Sequence, residues 1–149
     1  VQQFKFNRKL EYGLLFAELM AEKITSLCAP RTTPDLIIPV PLHRSRLRQR
    51  GYNQSWEIAR QVSRLTGISS SHRTCSRIKK TPLQTALKAS ERRKNLRQAF
   101  SVHMPLQGLH VCIIDDVMTT GSTLEAIASA LKKAGAKTVS GMVVARAVL

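Results

Sequence analysis

The sequence predicts an α/β fold: a parallel sheet with helices on both faces. Three observations lead there. Short apolar runs rich in β-branched residues alternate with stretches of helical periodicity. Strands separated by helices in this way imply parallel pairing with both sheet faces covered. The chain is 149 residues long, enough for one domain with a continuous core, and no internal repeat or low-complexity segment stands out, so residues 1–149 read as a single domain.

The elements follow in order. From Arg8 to Leu27, the apolar residues Leu10, Leu14, Leu15, Ala17, Leu19, Ile24 and Leu27 fall near helical spacing, and Pro30 and Pro34 stop the helix. "DLIIPVP" (Asp35–Pro41) reads as a buried strand closed by prolines. "LHRSRLRQRGYN" (Leu42–Asn53) reads as a basic loop with four arginines in seven residues. Trp56, Ile58, Ala59, Val62 and Leu65 mark a helix over Ser55–Leu65, ended by Gly67. Residues 69–100 have a thin apolar pattern and read as a mobile loop or a pair of irregular strands. Val111–Asp115 is the clearest strand, and Thr123–Ala134 a helix with Gly135 at its end. "TVSGMVVAR" is the final strand.

The charge is unevenly placed. Of the net +15, residues 31–100 supply +13, from sixteen Lys or Arg against three acids. A middle segment of this kind suits polyanions: phosphates, pyrophosphate or nucleic acid. No run approaches the roughly 20 apolar residues that span a bilayer, so no membrane insertion is expected. No signal peptide is visible either. Cys28, Cys75 and Cys112 are odd in number and far apart, with no C-x-x-C pair. This argues against a disulfide framework or a zinc site within the chain and fits a cytoplasmic location.

The chemistry concentrates in "VCIIDDVMTTGSTLEAI" (Val111–Ile127). Ligands of doubly wound sheets bind beyond the carboxyl ends of the strands, where Asp115 and Asp116 fall. Two successive acids converge on one ligand only where the backbone begins to turn. The hydroxyl-rich turn Thr119, Thr120, Gly121, Ser122 and Thr123 then opens a helix, whose first N–H groups and dipole favour a phosphate. Carboxylates beside such a cradle suit sugar hydroxyls or, through water, Mg²⁺. The ligand implied is a phosphorylated sugar. The competing reading is a plain Ser122 or Thr123 cap after surface acids. Neither G-x-x-x-x-G-K-[ST] nor G-x-G-x-x-G is present, which removes two other nucleotide-binding readings.

"VCIIDDVMTTGSTL" closely resembles the phosphoribosyl-pyrophosphate (PRPP) signature of type I phosphoribosyltransferases. "DLIIPVPLHRSRLRQRGYNQS" and "RIKKTPLQTALKASERRKNLRQAF" resemble two blocks of the ComF/GntX family of competence-associated phosphoribosyltransferase-like proteins. The three blocks stand in the right order, and the resemblance runs from about Phe4 onward. It implies the type I phosphoribosyltransferase fold. Asp115 and Asp116 would hold the ribose hydroxyls, and Thr119 through Thr123 the 5′-phosphate. Pro41, Leu42, His43 and Arg44 would form the pyrophosphate loop, with Arg46 and Arg50 near. Arg77, Thr81, Gln84, Arg92 and Asn95 would belong to a flexible active-site loop, with Lys79 and Lys80 as weaker candidates. PRPP would arrive with Mg²⁺, and cationic groups would stabilise the departing pyrophosphate.

Family members commonly carry a four-cysteine zinc module before the first helix, and no such module stands in residues 1–149. Zn²⁺ is therefore expected only with a module preceding Val1. The acceptor is not legible. Three readings stay open: a PRPP-dependent transferase linked to DNA uptake or use, a single-stranded DNA-binding competence factor, and a PRPP sensor without catalysis. For the second, Tyr52 and Trp56 are the stacking candidates near the basic block.

Overall fold

A computed structural model describes residues 11–27, 32–79, 96 and 98–147. Helix α1 (Glu11–Leu27) leads to strand β1 (Leu36–Pro39), helices α2 (Arg44–Arg50) and α3 (Gln54–Thr66), and the short strand β2 (Ser69–Ser70). Strands β3 (Cys75–Arg77) and β4 (Phe100–Val102), β5 (His110–Met118), helix α4 (Ser122–Lys133) and β6 (Thr138–Arg146) complete the order. The main sheet runs β2-β1-β5-β6, parallel throughout, and β3 pairs with β4 antiparallel.

The predicted α/β class, with helices on both faces of a parallel sheet, is what the structure shows. Period-2 alternation sends consecutive isoleucines to opposite faces. Ile37, Cys112 and Ile114 pack against Ala17, Met20 and Ile24 of α1 and Ile58, Ala59 and Val62 of α3. Leu36, Ile38, Val111 and Ile113 pack against Ala126, Ile127 and Leu131 of α4. Two faces buried at once explain why β1 and the first half of β5 read as unbroken apolar runs.

Several local expectations give way. Arg44–Arg50, read as loop, is helical: His43 caps it through Nδ1, which accepts from Ser45 N, and Gly51 closes it at φ 79°. Arginine is a good helix former, and α2 buries none of its residues, so it leaves no apolar period to detect. On α1 the inward stripe is Ala17, Met20, Ala21 and Ile24, while Leu14, Leu15 and Leu19 are exposed. The 17, 20, 21, 24 spacing is the one that keeps a single helix face. Within 69–100, the irregular strand pair is β3–β4, whereas Ser69–Ser70 joins the main sheet beside β1. Strand β5 runs past Asp115 to Met118, because β6 pairs with it as far as Met118↔Arg146. The predicted helix from Arg8 is described only from Glu11.

Because β2 lies on one side of β1 and β5 on the other, the strand order reverses between β1 and β5. The crevice outside their carboxyl ends is where an open parallel sheet binds its ligand.

Candidate functional site

At that crevice, each acid of β5 folds forward along its own strand. Asp115 Oδ1 accepts from Asp116 N at 2.9 Å, and Asp116 Oδ1 accepts from Val117 N at 2.8 Å. The strand continues through both acids to Met118, so the turn expected at the acids comes after them. Asp116 is 6% exposed. Burial first, then the charge of Asp116, push the Asp115 carboxyl up to about 7, against lowering bonds from Asp116 N–H and Ser55.

The acids are held by the first turn of α3. Ser55 Oγ donates to Asp115 Oδ1 at 3.0 Å, and Gln54 Nε2 donates to Asp116 Oδ2 at 3.4 Å. Both residues are buried, and Gln54 Oε1 has no hydrogen-bond partner among the described residues. Asn53 caps α3 by accepting from Ser55 N and donates from Nδ2 to Val40 O, just past the end of β1. One short segment therefore ties the exit of β1 to both acids of β5. Sequence reasoning missed Gln54 and Ser55. Their signal was present in "YNQSW", where an Asn cap precedes two polar residues at positions that then prove buried.

Beyond the acids the chain turns through Thr119 and Thr120, both exposed, to Gly121. Gly121 has φ 78° and is the N-cap of α4, with no side chain capping the helix. Ser122 and Thr123 are thus not plain caps: they lie in the helix's first turn, and Ser122 Oγ pairs with Thr120 Oγ1 at 2.9 Å. A hollow of about 40 Å³ opens here, lined by Asp115 and by residues from Val117 through Leu124. It gathers Asp115, Thr119, Thr120, Gly121, Ser122 and Thr123. Asp116 is not part of its lining and accepts from Gln54 instead.

The pyrophosphate-loop candidates stand on the other lip. Pro41 is buried, Leu42 and His43 are half-buried, and Arg44 is exposed at the start of α2. His43 bridges to Arg77 of β3 through the backbone, which brings the first and second basic blocks together. Arg77 lies over the Phe100 ring at 5.6 Å. Burial, and next the charge of Arg46, pull its guanidinium below its ordinary value. Arg46 and Arg50 are half-buried, and Lys79 is exposed with Nζ donating to Gln98 Oε1. Thr81, Gln84, Arg92, Asn95 and Lys80 lie outside the described residues. Cys75 and Cys112 are buried, and burial pushes the Cys75 thiol up to about 12. Among the described residues no helix is long and apolar enough to cross a membrane.

Comparison with known proteins agrees with this architecture. Residues 12–147 match the phosphoribosyl transferase domain family. The DNA utilization protein YhgH of Salmonella typhi is 40% identical over 143 residues, which cover 93% of this chain and 62% of that protein. Competence protein F of Haemophilus influenzae is 36% identical over 154 residues, covering 99% and 66%. The chain thus spans somewhat under two thirds of the length of these relatives. Among solved structures, the purine phosphoribosyltransferase of Pyrococcus horikoshii superposes with a TM-score of 0.57 at 22% identity, covering 88% of this chain and 71% of that one. The glutamine PRPP amidotransferase of B. subtilis gives 0.59 at 19%, covering 89% and 26%. With the parallel sheet, the acid pair and the glycine turn all in place, the chain belongs to the phosphoribosyltransferase domain family, with competence protein F and the YhgH DNA utilization proteins as its relatives.

Proposed function

We propose that the crevice between β1 and β5 binds PRPP with Mg²⁺, and that the chain transfers the phosphoribosyl group to an acceptor in DNA uptake or utilisation. The observation that carries this reading is the hollow at the end of β5. A carboxylate faces the uncapped start of α4 across a glycine turn, in the order a phosphorylated sugar requires. The N–H groups at the start of α4 and the hydroxyls of Thr119, Thr120, Ser122 and Thr123 take the 5′-phosphate. Asp115 accepts from a ribose hydroxyl, while Ser55 and Gln54 hold the two acids in place.

Across the crevice, Arg44, Arg46 and Arg77 offer positive charge where pyrophosphate departs. Among the described residues no three metal-ligating side chains converge. That suits Mg²⁺, which keeps its waters and binds through one or two carboxylates plus the substrate's phosphates. The ion would be held at Asp115 and Asp116 through water and would supply charge neutralisation for the leaving group. The link to DNA rests on the names of the relatives.

Isothermal titration of PRPP with Mg²⁺ tests the site. Saturable heat is expected from the wild type, with affinity falling at least about tenfold in Asp115→Asn/Asp116→Asn, the loss of roughly one charged hydrogen bond. Equal heats from both proteins, or none from either, would reject it. Pyrophosphate release across candidate bases and nucleotides would separate transfer from mere sensing.

A further inference from the structure

Strand β6 is long, apolar and poorly sheltered. Its neighbour β5 buries five of nine residues, whereas none of the nine residues of β6 is fully buried. Val139, Met142, Val143, Val144 and Ala145 are among those nine. No strand of the described residues pairs with its far side. Asp35 N donates to His110 O and Val40 N to Ile114 O, so the even-numbered residues of β5 up to Ile114 aim their backbone groups at β1. Val111, Ile113 and Asp115 therefore aim theirs at β6. In the parallel register Ile113↔Gly141, Ile113 bonds to Ser140 and Met142. The N–H and C=O groups of Val139, Gly141 and Val143 are left pointing outward. Neither proline nor lysine, the usual guards of an edge, stands between Thr138 and Arg146.

The neighbouring helix is bare beside this edge. Leu19 of α1, 58% exposed, lines a hollow of about 250 Å³ between α1 and β6, with Phe16, Met20, Met142 and Val144. Leu15, 51% exposed, lies one helical turn before Leu19. Charge indicates the partner. Together α1 and β6 carry three acids against one lysine and one arginine, in a chain of net charge +15. Two copies of so basic a chain repel each other over most of their surface, and here they do not.

An antiparallel pair of β6 strands is also self-complementary. About a two-fold near Gly141, Val139 of one copy stands opposite Val143 of the other, and no charge opposes a like charge. Such a two-fold is perpendicular to the sheet, so both α1 helices lie on one face. We propose that two copies of the chain join edge to edge through β6. Their four-stranded sheets become one continuous sheet, and Leu15 and Leu19 of the two α1 helices close over the junction. The inference does not depend on what the acid pair binds.

Sedimentation velocity of the purified protein, freed of nucleic acid, from about 1 to about 200 µM measures the association. A species of twice the chain mass is expected to grow with concentration. It strengthens as NaCl rises, because salt screens the repulsion between two positive copies and leaves apolar contacts intact. Leu15→Glu/Leu19→Glu, at exposed positions, raises the dissociation constant by about ten-fold or more. Gly141→Pro does so independently by removing an outward N–H, and a Cβ there meets Leu124 Cδ1 at an ordinary 3.6 Å. Leu65→Glu, at an exposed residue of α3 outside the hollow, leaves the constant unchanged. Circular dichroism confirms that each variant is folded, and the leucine pair decides the matter where Gly141→Pro does not fold. Below the dissociation constant the chain is single and Leu19 stays exposed, so the leucine substitutions act on association and not on the stability of the chain itself.

A single species of one chain mass at every concentration overturns the proposal. So does association that weakens as salt rises, or that Leu15→Glu/Leu19→Glu retains in full.

Discussion

Asp115 pays for its position in a way that acid–base titration exposes. Its carboxyl, ordinarily near 3.8, stands at about 7 in the folded chain because burial and Asp116 disfavour its charge. Between those two values the folded protein holds a proton that the unfolded chain has released. Stability therefore falls as pH rises through that window, and the deficit is complete above about 7. Replacing Asp115 with Asn removes the group that must ionise. The melting temperature of Asp115→Asn is expected to exceed the wild type by about 3 °C or more near pH 8, converging with it near pH 4. A variant less stable than wild type near pH 8 would mean that the bonds from Ser55 and Asp116 N–H outweigh the cost of charge.

Among the elements, the turn between β5 and α4 depends on one backbone conformation. Gly121 sits at φ 78°, and a Cβ there would meet only Met118 Sδ at an ordinary 3.5 Å. Space is available, but the left-handed conformation is not open to alanine without cost. Gly121→Ala should lower the melting temperature by about 2–4 °C, the equivalent of about 1 kcal/mol in a domain of this size, and should also weaken PRPP in the titration above. Loss of affinity without loss of stability would show the turn to be free to rearrange. This turn was legible in the sequence because its parts are contiguous: apolar run, acids, hydroxyls, glycine, helix. The residues that hold the acids were not, since Ser55 and Asp115 are 60 positions apart and no local period links them. Helix α2 escaped for a different reason, being stabilised by its caps and by arginine propensity and not by a buried stripe. The inward face of α1 was not legible, because the exposed Leu14, Leu15 and Leu19 are as apolar as the Ala17, Met20, Ala21 and Ile24 that pack.

Over the whole molecule, one sheet divides two apolar layers, and β5 serves both. Ile113 belongs to the layer under α4, and Ile114 to the layer under α1 and α3. Both are essentially inaccessible to water. Ile113→Ala should cost about 2–5 kcal/mol in chemical denaturation, whereas Leu19→Ala, at a residue 58% exposed, should change stability by less than about 0.5 kcal/mol. Comparable losses from the two would mean that the exposed leucines of α1 are covered in solution. The global class was legible because strands buried on both faces leave an unmistakable mark, and the concentration of charge in residues 31–100 was legible from counting. The clustering of His43, Arg46 and Arg77 was not, because it depends on β3 returning to the exit of β1.

Asn53 grasps the carbonyl at the end of β1 while its two successors grip the carboxylates of β5. The opposing jaws of the crevice are thereby riveted to a single rod, α3, whose next residue is Trp56. A rod fastened to both jaws holds the gape of the crevice at one width, and Trp56 stands on that same rod.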